Sequence, residues 1–311
     1  MYGLSEAGTG DDHARLRRTA TYASVAVACV LILSKFAAYL LTESVSLLAS
    51  LIDSSMDLLG SVVILFGVRQ ALRPPDKGHR FGHGKAEPLA ALAQAAFVTG
   101  SGVFLIYEAI NRLFRPTQVQ ESWVGIAVMV FAMVLTLGLV AFQSHVVRRT
   151  GSLAVDADSL HYRGDLLMNL AVVASLLLTG ATGWVYFDPL FAFAIAAFLM
   201  RGAWSIARGS LDVLMDRELP QTDREQIKHL VLAHRQTRGM HDLRTRNAGS
   251  SVFIELHLEL DSHLTLAQAH DVTDEVERIL LEAYPNAEVL VHQEPAGLED
   301  ERLDARLGGR T

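Results

Sequence analysis

Apolar residues form long unbroken runs over the first two thirds of the chain and short alternating patterns over the last third. Runs of about 20 or more residues, enough to cross a hydrocarbon layer roughly 30 Å thick, begin near Thr19, Val45, Glu87, Trp123, Ser159 and Pro189. The sixth, Pro189 to Ala207, is the shortest. Asp188-Pro189 at its start reads as a helix cap followed by proline at the first helical position. Past Met215 the segments become charged and short-period. "TDREQIKHLVLAHRQ" has the start signal and 3.6-residue spacing of a helix, and "MHDLRTRNAG" reads as a strand running into a turn. "SVFIELHLEL" alternates strictly, with Val252, Ile254, Leu256, Leu258 and Leu260 on one face and Phe253, Glu255, His257 and Glu259 on the other. "TLAQAHDVTDEVERILLEAY" predicts an amphipathic helix and "AEVLVHQEP" a final strand. The expected architecture is a multi-pass α-helical membrane protein of six spans, followed by a small α+β domain of order α-β-β-α-β. Its boundaries are an N-terminal tail at 1–17, a transmembrane domain at 18–210, a soluble domain at 216–296 and a polar tail at 297–311 expected to be disordered.

Composition agrees with this division. Only 20% of the 311 residues are charged and half are apolar, with a mean hydropathy of +0.27, where a soluble domain carries about 25% charge. The first run is longer than the core of a cleaved signal peptide, and no small-residue cleavage site follows it. Six crossings place both termini on one side, and the basic residues decide which. Arg15, Arg17, Arg18, Arg69, Arg73, Lys77, Arg80, Lys85, Arg148 and Arg149 flank the spans on that side, against Arg112 and Arg115 on the other. Both termini are therefore expected in the cytoplasm. Cys29 is the only cysteine, so neither a disulfide within the chain nor a thiolate metal cluster can form. The net charge of −7 sits largely in the last third, and no basic patch with interleaved aromatics points to nucleic acid.

Three clusters carry chemistry. "SLLASLIDSSMDLLGSVVILFG" puts Asp53 and Asp57 inside an apolar span, four residues apart and so on one helix face. Each ionised group at such a depth costs roughly 2.5–3.5 kcal/mol. The fifth span offers His161 and Asp165 at the same spacing. Three carboxylates and an imidazole suit a tetrahedral divalent ion, Zn²⁺ first among them. An ion pair with a buried lysine or arginine, or a carboxylate held protonated, would also accommodate such residues. Lys35 is the only obvious cation within the spans, and one lysine does not neutralise three aspartates. The second cluster is "PDKGHRFGHGKAE", where Asp76, His79 and His83 have ligand spacing in a loop whose glycines permit a tight fold; a solvated loop with incidental histidines is the plainer alternative. The third is His241, His257, His270, His292 and Glu294 in the soluble domain, where Glu294 could bridge two ions. An intramembrane metalloenzyme would need an open coordination position and a base; no H-E-x-x-H motif is present, and four protein ligands leave no such opening. A membrane metal sensor or assembly scaffold without transport activity would be expected to lack the intramembrane cage.

The motifs "DSSMD", "HYRGD", "FGHGKAEPLAALAQ", "HDLRTR" and "VHQEP" resemble those of the cation diffusion facilitators, most closely the bacterial zinc- and iron-exporting branch, and the likeness runs from about Arg15 to Pro295. The resemblance implies a homodimeric metal/proton antiporter of the bacterial inner membrane with a metallochaperone-like cytoplasmic domain and no organic cofactor. On it, Asp53, Asp57, His161 and Asp165 correspond to the transport site, with His161 as proton carrier. Asp76, His79 and His83 correspond to a loop site. His241, His257, His270 and His292 correspond to a binuclear site joining the cytoplasmic domains of the dimer. Lys85 and Asp216 correspond to a charge interlock at the membrane face. Where the family usually has aspartate after His-Gln, this chain has Glu294. Zn²⁺ is the expected substrate and regulatory ligand, with Cd²⁺, Fe²⁺ and Co²⁺ compatible with the same donors.

Overall fold

A computed structural model describes residues 10–114, 123–249, 251–297 and 303, and the chain divides into two compact units, Met1–Leu211 and Asp212–Thr311. Residues 1–9, Arg115 and all of the 297–311 tail except 297 and 303 lie outside the described residues.

The first unit is built from α1 (Gly10–Thr42), α2 (Val45–Ala71), α3 (Ala86–Phe114), α4 (Trp123–Thr150), α5 (Leu153–Thr182) and α6 (Phe187–Leu214). All six are long and apolar enough to cross a membrane. At 1.5 Å per residue they are about 40–50 Å long, longer than a hydrocarbon layer is thick. Helix is the conformation available to such segments, because it satisfies backbone donors and acceptors within the segment where water cannot. Large apolar side chains such as Leu33, Leu41, Phe66, Phe104 and Trp204 point outward, as a lipid solvent requires. Small residues and short branched ones fill the interior between helices: Ala91, Ala95, Val98, Ala154, Ala157 and Ala203 are almost fully buried together with Ile64 and Val68.

Two helix starts differ from the hydrophobic pattern. Helix α5 begins at Leu153, six residues before the apolar run near Ser159. Gly151 (φ 63°) separates it from α4, and the Ser152 side chain accepts from the Val155 N–H as N-cap. Helix α6 begins at Phe187, so Asp188 and Pro189 occupy its first turn instead of the cap and first position. Proline is tolerated there because first-turn N–H groups have no intrahelical acceptor.

The second unit contains α7 (Gln221–Leu232), β1 (Gly239–Asn247), β2 (Val252–Leu260), α8 (Leu266–Ala283) and β3 (Ala287–Pro295). The sheet order is β1-β2-β3, antiparallel between β1 and β2 and parallel between β2 and β3. A bulge between His241 and Arg244 shifts the first pairing, with Asp242 at φ 49°. Helix α8 makes the crossover that a parallel pair needs and starts at a complete capping box between Thr265 and Gln268. Ile254, Leu256, Leu258 and Leu260 of β2 pack with Ile227, Val231, Val272, Val276 and Leu280 of the two helices. The alternating strand thus buries its apolar face against helices; on the opposite face His257 and Glu259 are partly exposed, while Phe253 is buried.

The closest approach between helices yields a stability test. A Cβ on Gly67 of α2 would lie 2.3 Å from the Ala90 Cβ and 3.2 Å from the Ala86 carbonyl oxygen of α3. Gly67→Ala is expected to cost about 2 kcal/mol through overpacking, lowering the thermal unfolding midpoint of the detergent-solubilised protein by several degrees. Gly138→Ala, where a Cβ meets open space, should leave the midpoint unchanged or raise it. Equal midpoints for the two variants would contradict this packing.

Candidate metal centres

The interior of the first unit gathers three of the expected membrane ligands. Asp57 comes from α2, His161 and Asp165 from α5, and one ligand atom of each lies within 4.8 Å of the others. His161 Nε2 is 2.8 Å from Asp57 Oδ1 and 3.6 Å from Asp165 Oδ2. Two residues four apart share one helix face, which explains how a single turn of α5 supplies both. Phe97 of α3 meets the imidazole edge-on at 5.6 Å and Tyr162 lies at the same centroid distance, so the ring is held on two sides. Asp53, one turn before Asp57, is not part of the three-residue group; it lines the same cavity of about 800 Å³. Lys35 donates to Ser54 Oγ at 2.6 Å and to the Ser50 carbonyl at 3.2 Å. Among the described residues no lysine or arginine forms an ion pair with Asp53, Asp57 or Asp165. Lys35 acts on Asp53, Asp57 and Asp165 through space without a direct ion pair, and one positive charge does not balance three carboxylates. The cavity is also lined by Arg112, which donates to Glu108 Oε1 at 3.0 Å and Asp188 Oδ2 at 2.9 Å.

The loop between α2 and α3 brings Asp76, His79 and His83 together. Gly82 takes φ 79° there, a conformation glycine adopts without steric cost. The two imidazole rings are 4.6 Å apart. His79 Nδ1 is 3.4 Å from Asp76 Oδ1, and His83 Nε2 is 3.3 Å from Asp76 Oδ2. His83 is buried, and its Nδ1 has no hydrogen-bond partner, an arrangement a cation could satisfy. Asp76 Oδ1 also accepts from the backbone N–H groups of His79 and Gly78, each at 2.8 Å. The His79 backbone bond is the main reason the Asp76 carboxyl is held below the usual carboxylate range.

In the second unit the sheet register does the assembling. His241 of β1 faces His257 of β2, which in turn faces His292 of β3. Glu294 Oε1 is 3.0 Å from His241 Nε2, and its Oε2 is 3.4 Å from His257 Nδ1. The two oxygens of one carboxylate thus address two different imidazoles, which fits a bridging ligand between cations. The His292 ring lies 4.7 Å from that of His257, tilted by 52°, outside the three-residue group. His270 lies apart on α8, exposed and 3.5 Å from Asp274. Lys85 and Asp216 belong to different units; within its own unit Asp216 approaches Arg246 Nη1 at 3.7 Å.

Three carboxylates escaped the sequence reading. Glu259 sits 3.1 Å from His241 Nδ1 and so orients an imidazole from behind. Glu87, buried at the start of α3, accepts from Arg17 Nη1 at 3.1 Å and from Ser152. Asp158 is fully buried on α5 and accepts from Ser24, Ser61 and Gln143. The readable sign for Asp158 was its position three residues before His161, on the same helix face.

Comparison with known proteins matches most of the chain to two families. Residues 21–215 match the cation efflux transmembrane domain family, and residues 219–296 match the family of the cation efflux protein cytoplasmic domain. The chain is 45% identical over 282 residues to the cation-efflux pump FieF of Shewanella oneidensis, covering 91% of this chain and 95% of that protein. It is 44% identical over 286 residues to the cation-efflux pump FieF of Klebsiella pneumoniae, covering 92% and 95%. Among solved structures, the metal-bound C-terminal domain of the CzcD transporter from Thermotoga maritima is 24% identical, with a TM-score of 0.25 over 26% of this chain and 100% of that one.

A lowered carboxyl keeps its charge as pH falls, so Asp76 stays ionised at every pH at which histidine is a useful ligand. Removing one unit charge about 4 Å from a divalent ion in watery surroundings lowers affinity by about thirtyfold. Asp76→Asn should therefore weaken Zn²⁺ binding at the loop by about that factor, and equally at pH 6 and pH 8, in calorimetric titrations. A loss present at one pH only would mean that Asp76 titrates in this range.

Proposed function

The chain belongs to the cation efflux family of multi-pass membrane transporters, and from that premise we propose that it exports a divalent cation, Zn²⁺ first, from the bacterial cytoplasm by exchange for protons. One observation carries the reading: Asp57, His161 and Asp165 converge inside the membrane unit beside a cavity also lined by Asp53, and among the described residues no lysine or arginine forms an ion pair with them. Such a set offsets its burial cost when a cation is present, or when protons are.

The chemistry of the donors supplies the coupling. A cation entering from the cytoplasm requires imidazole in its neutral form and carboxylates in their ionised form, so binding releases protons. When the site opens to the opposite side, protons compete for the same atoms and the cation leaves. His161 is the proposed proton carrier, since histidine is the side chain whose charge changes near neutral pH. Borderline nitrogen and hard oxygen donors accept Zn²⁺, Cd²⁺, Fe²⁺ and Co²⁺, and the ranking among them follows geometry and availability more than raw affinity.

The basic flanks support a cytoplasmic placement of residues 216–296 and of both termini, and the bacterial origin of the relatives supports an inner-membrane location. In this reading the protein works as a homodimer. The His241, His257 and Glu294 group, with His292 alongside and His270 of α8 as a further ligand, acts as a metal sensor that tightens the dimer and shifts the transport equilibrium. The Asp76, His79 and His83 loop feeds or senses the same ion. Lys85 and Asp216 form the proposed interlock at the membrane face.

Asp57→Ala should bring metal uptake into proteoliposomes to background while the purified dimer keeps its elution volume; substantial residual Zn²⁺ flux in that variant would sink the assignment. His257→Ala should raise the Zn²⁺ concentration needed to activate transport without abolishing it. A fully inactive His257→Ala protein would show that the cytoplasmic domain does more than regulate.

A further inference from the structure

The most deeply buried carboxylate outside the metal clusters is Asp158, and the transport cycle above leaves it without a task. Among the described residues its hydrogen-bond donors are all neutral side chains. Asp158 Oδ2 accepts from Ser24 Oγ of α1 and from Gln143 Nε2 of α4, the latter at 2.7 Å, while Oδ1 accepts from Ser61 Oγ of α2 at 3.1 Å. Gln143 Nε2 also reaches Ser24 Oγ at 2.8 Å, and Tyr162 of α5 closes the group through Ser61 Oγ at 3.0 Å and the Ser24 carbonyl at 3.4 Å. Ser24, Ser61, Gln143, Asp158 and Tyr162 are all buried. A carboxylate at this depth costs more than apolar packing of the same volume, and an interaction kept at such a cost serves geometry better than stability.

The placement says which geometry. On α2, Ser61 stands four residues after Asp57; on α5, Asp158 stands three residues before His161. Both spacings keep a pair on one helix face with Cβ atoms about 5–6 Å apart. The helices are therefore joined by two successive rungs, Asp57 to His161 at 2.8 Å and Ser61 to Asp158 at 3.1 Å. A rotation or slide of α5 against α2 that broke the outer rung would also carry His161 and Asp165 away from Asp57. Bonds to Ser24 and Gln143 tie the same turn of α5 to α1 and α4, so the rung is braced from three helices.

We propose that Asp158 is the positioning residue of the transport site: its hydrogen bonds to Ser24, Ser61 and Gln143 set the rotation and depth of α5, and with them the arrangement of His161 and Asp165 against Asp57. This rests on the proposed function of that site. Supporting groups one layer behind metal ligands typically govern affinity by 10–100-fold, and residues that act through one rung are non-additive.

The test measures initial Zn²⁺ uptake against Zn²⁺ concentration in proteoliposomes for wild type, Asp158→Asn, Ser61→Ala, the double variant and Asp57→Ala, alongside thermal unfolding of each. The expected result is an increase of about tenfold in the half-saturating Zn²⁺ concentration for Asp158→Asn. Ser61→Ala should show a smaller increase and the double variant no further loss, with unfolding midpoints close to wild type. A shifted midpoint with unchanged half-saturation would reduce Asp158 to a structural role and overturn the proposal. Should Asp158→Asn fail to assemble, Ser61→Ala and Gln143→Leu carry the same comparison, and unchanged half-saturation in both overturns it. Wild-type protein without flux would instead overturn the function on which the proposal rests.

Discussion

Charge held in an apolar solvent must find its partner inside the protein, and this constraint organises the membrane unit. Where lipid or protein replaces water, each buried carboxylate needs a donor, a proton or a cation within a few ångströms. The structure meets the need in different ways along the helices. Asp158 is met by neutral donors from Ser24, Ser61 and Gln143, and Glu87 by Arg17 and Ser152. Among the described residues, Asp57 and Asp165 share the His161 imidazole as their close partner. That contrast marks the group whose partner can be exchanged. Permanent hydrogen bonds hold the frame, and an exchangeable cation or proton completes the site.

The two units solve the same problem of ligand delivery with different periodicities. In the membrane unit the four-residue spacing of α2 and α5 stacks ligands on facing helix surfaces. In the sheet unit, cross-strand register aligns His241, His257 and His292 in a row, and the parallel pairing of β2 with β3 puts Glu294 beside Glu259. The carboxylate that contacts His241 and His257 comes from β3, and a second carboxylate, Glu259, backs His241. Glutamate in place of aspartate extends the arm by one methylene, and within one chain that arm spans both imidazoles.

Much of this was legible in the sequence because the ligands announce themselves locally. Asp53 with Asp57, and His161 with Asp165, stand out as polar pairs at helical spacing in apolar runs; the strict alternation of β2 fixed which of its faces is buried. Asp158 was hidden because its partners Ser24, Ser61 and Gln143 are ordinary neutral residues dispersed over three other helices, and only packing brings them together. Glu259 required the β1–β2 register, which the bulge at His241–Arg244 shifts beyond what alternation alone conveys. The early start of α5 was missed because Ser152, Asp156 and Asp158 precede the apolar run; burial against neighbouring helices and the Ser152 cap sustain helix there. Asp53 shows the converse: same-face spacing predicted a fourth ligand, and the structure places it on the cavity wall beside the other three.

The central claim is that one set of side chains binds a metal ion and protons by turns. The most direct test is simultaneous recording of Zn²⁺ entry and internal pH in proteoliposomes containing the full-length protein, with a trapped metal indicator and a trapped pH dye. External Zn²⁺ should make the interior more alkaline as Zn²⁺ enters, and an imposed acid interior should accelerate that entry. Zn²⁺ entry with no proton movement under either direction of the pH gradient would contradict the account.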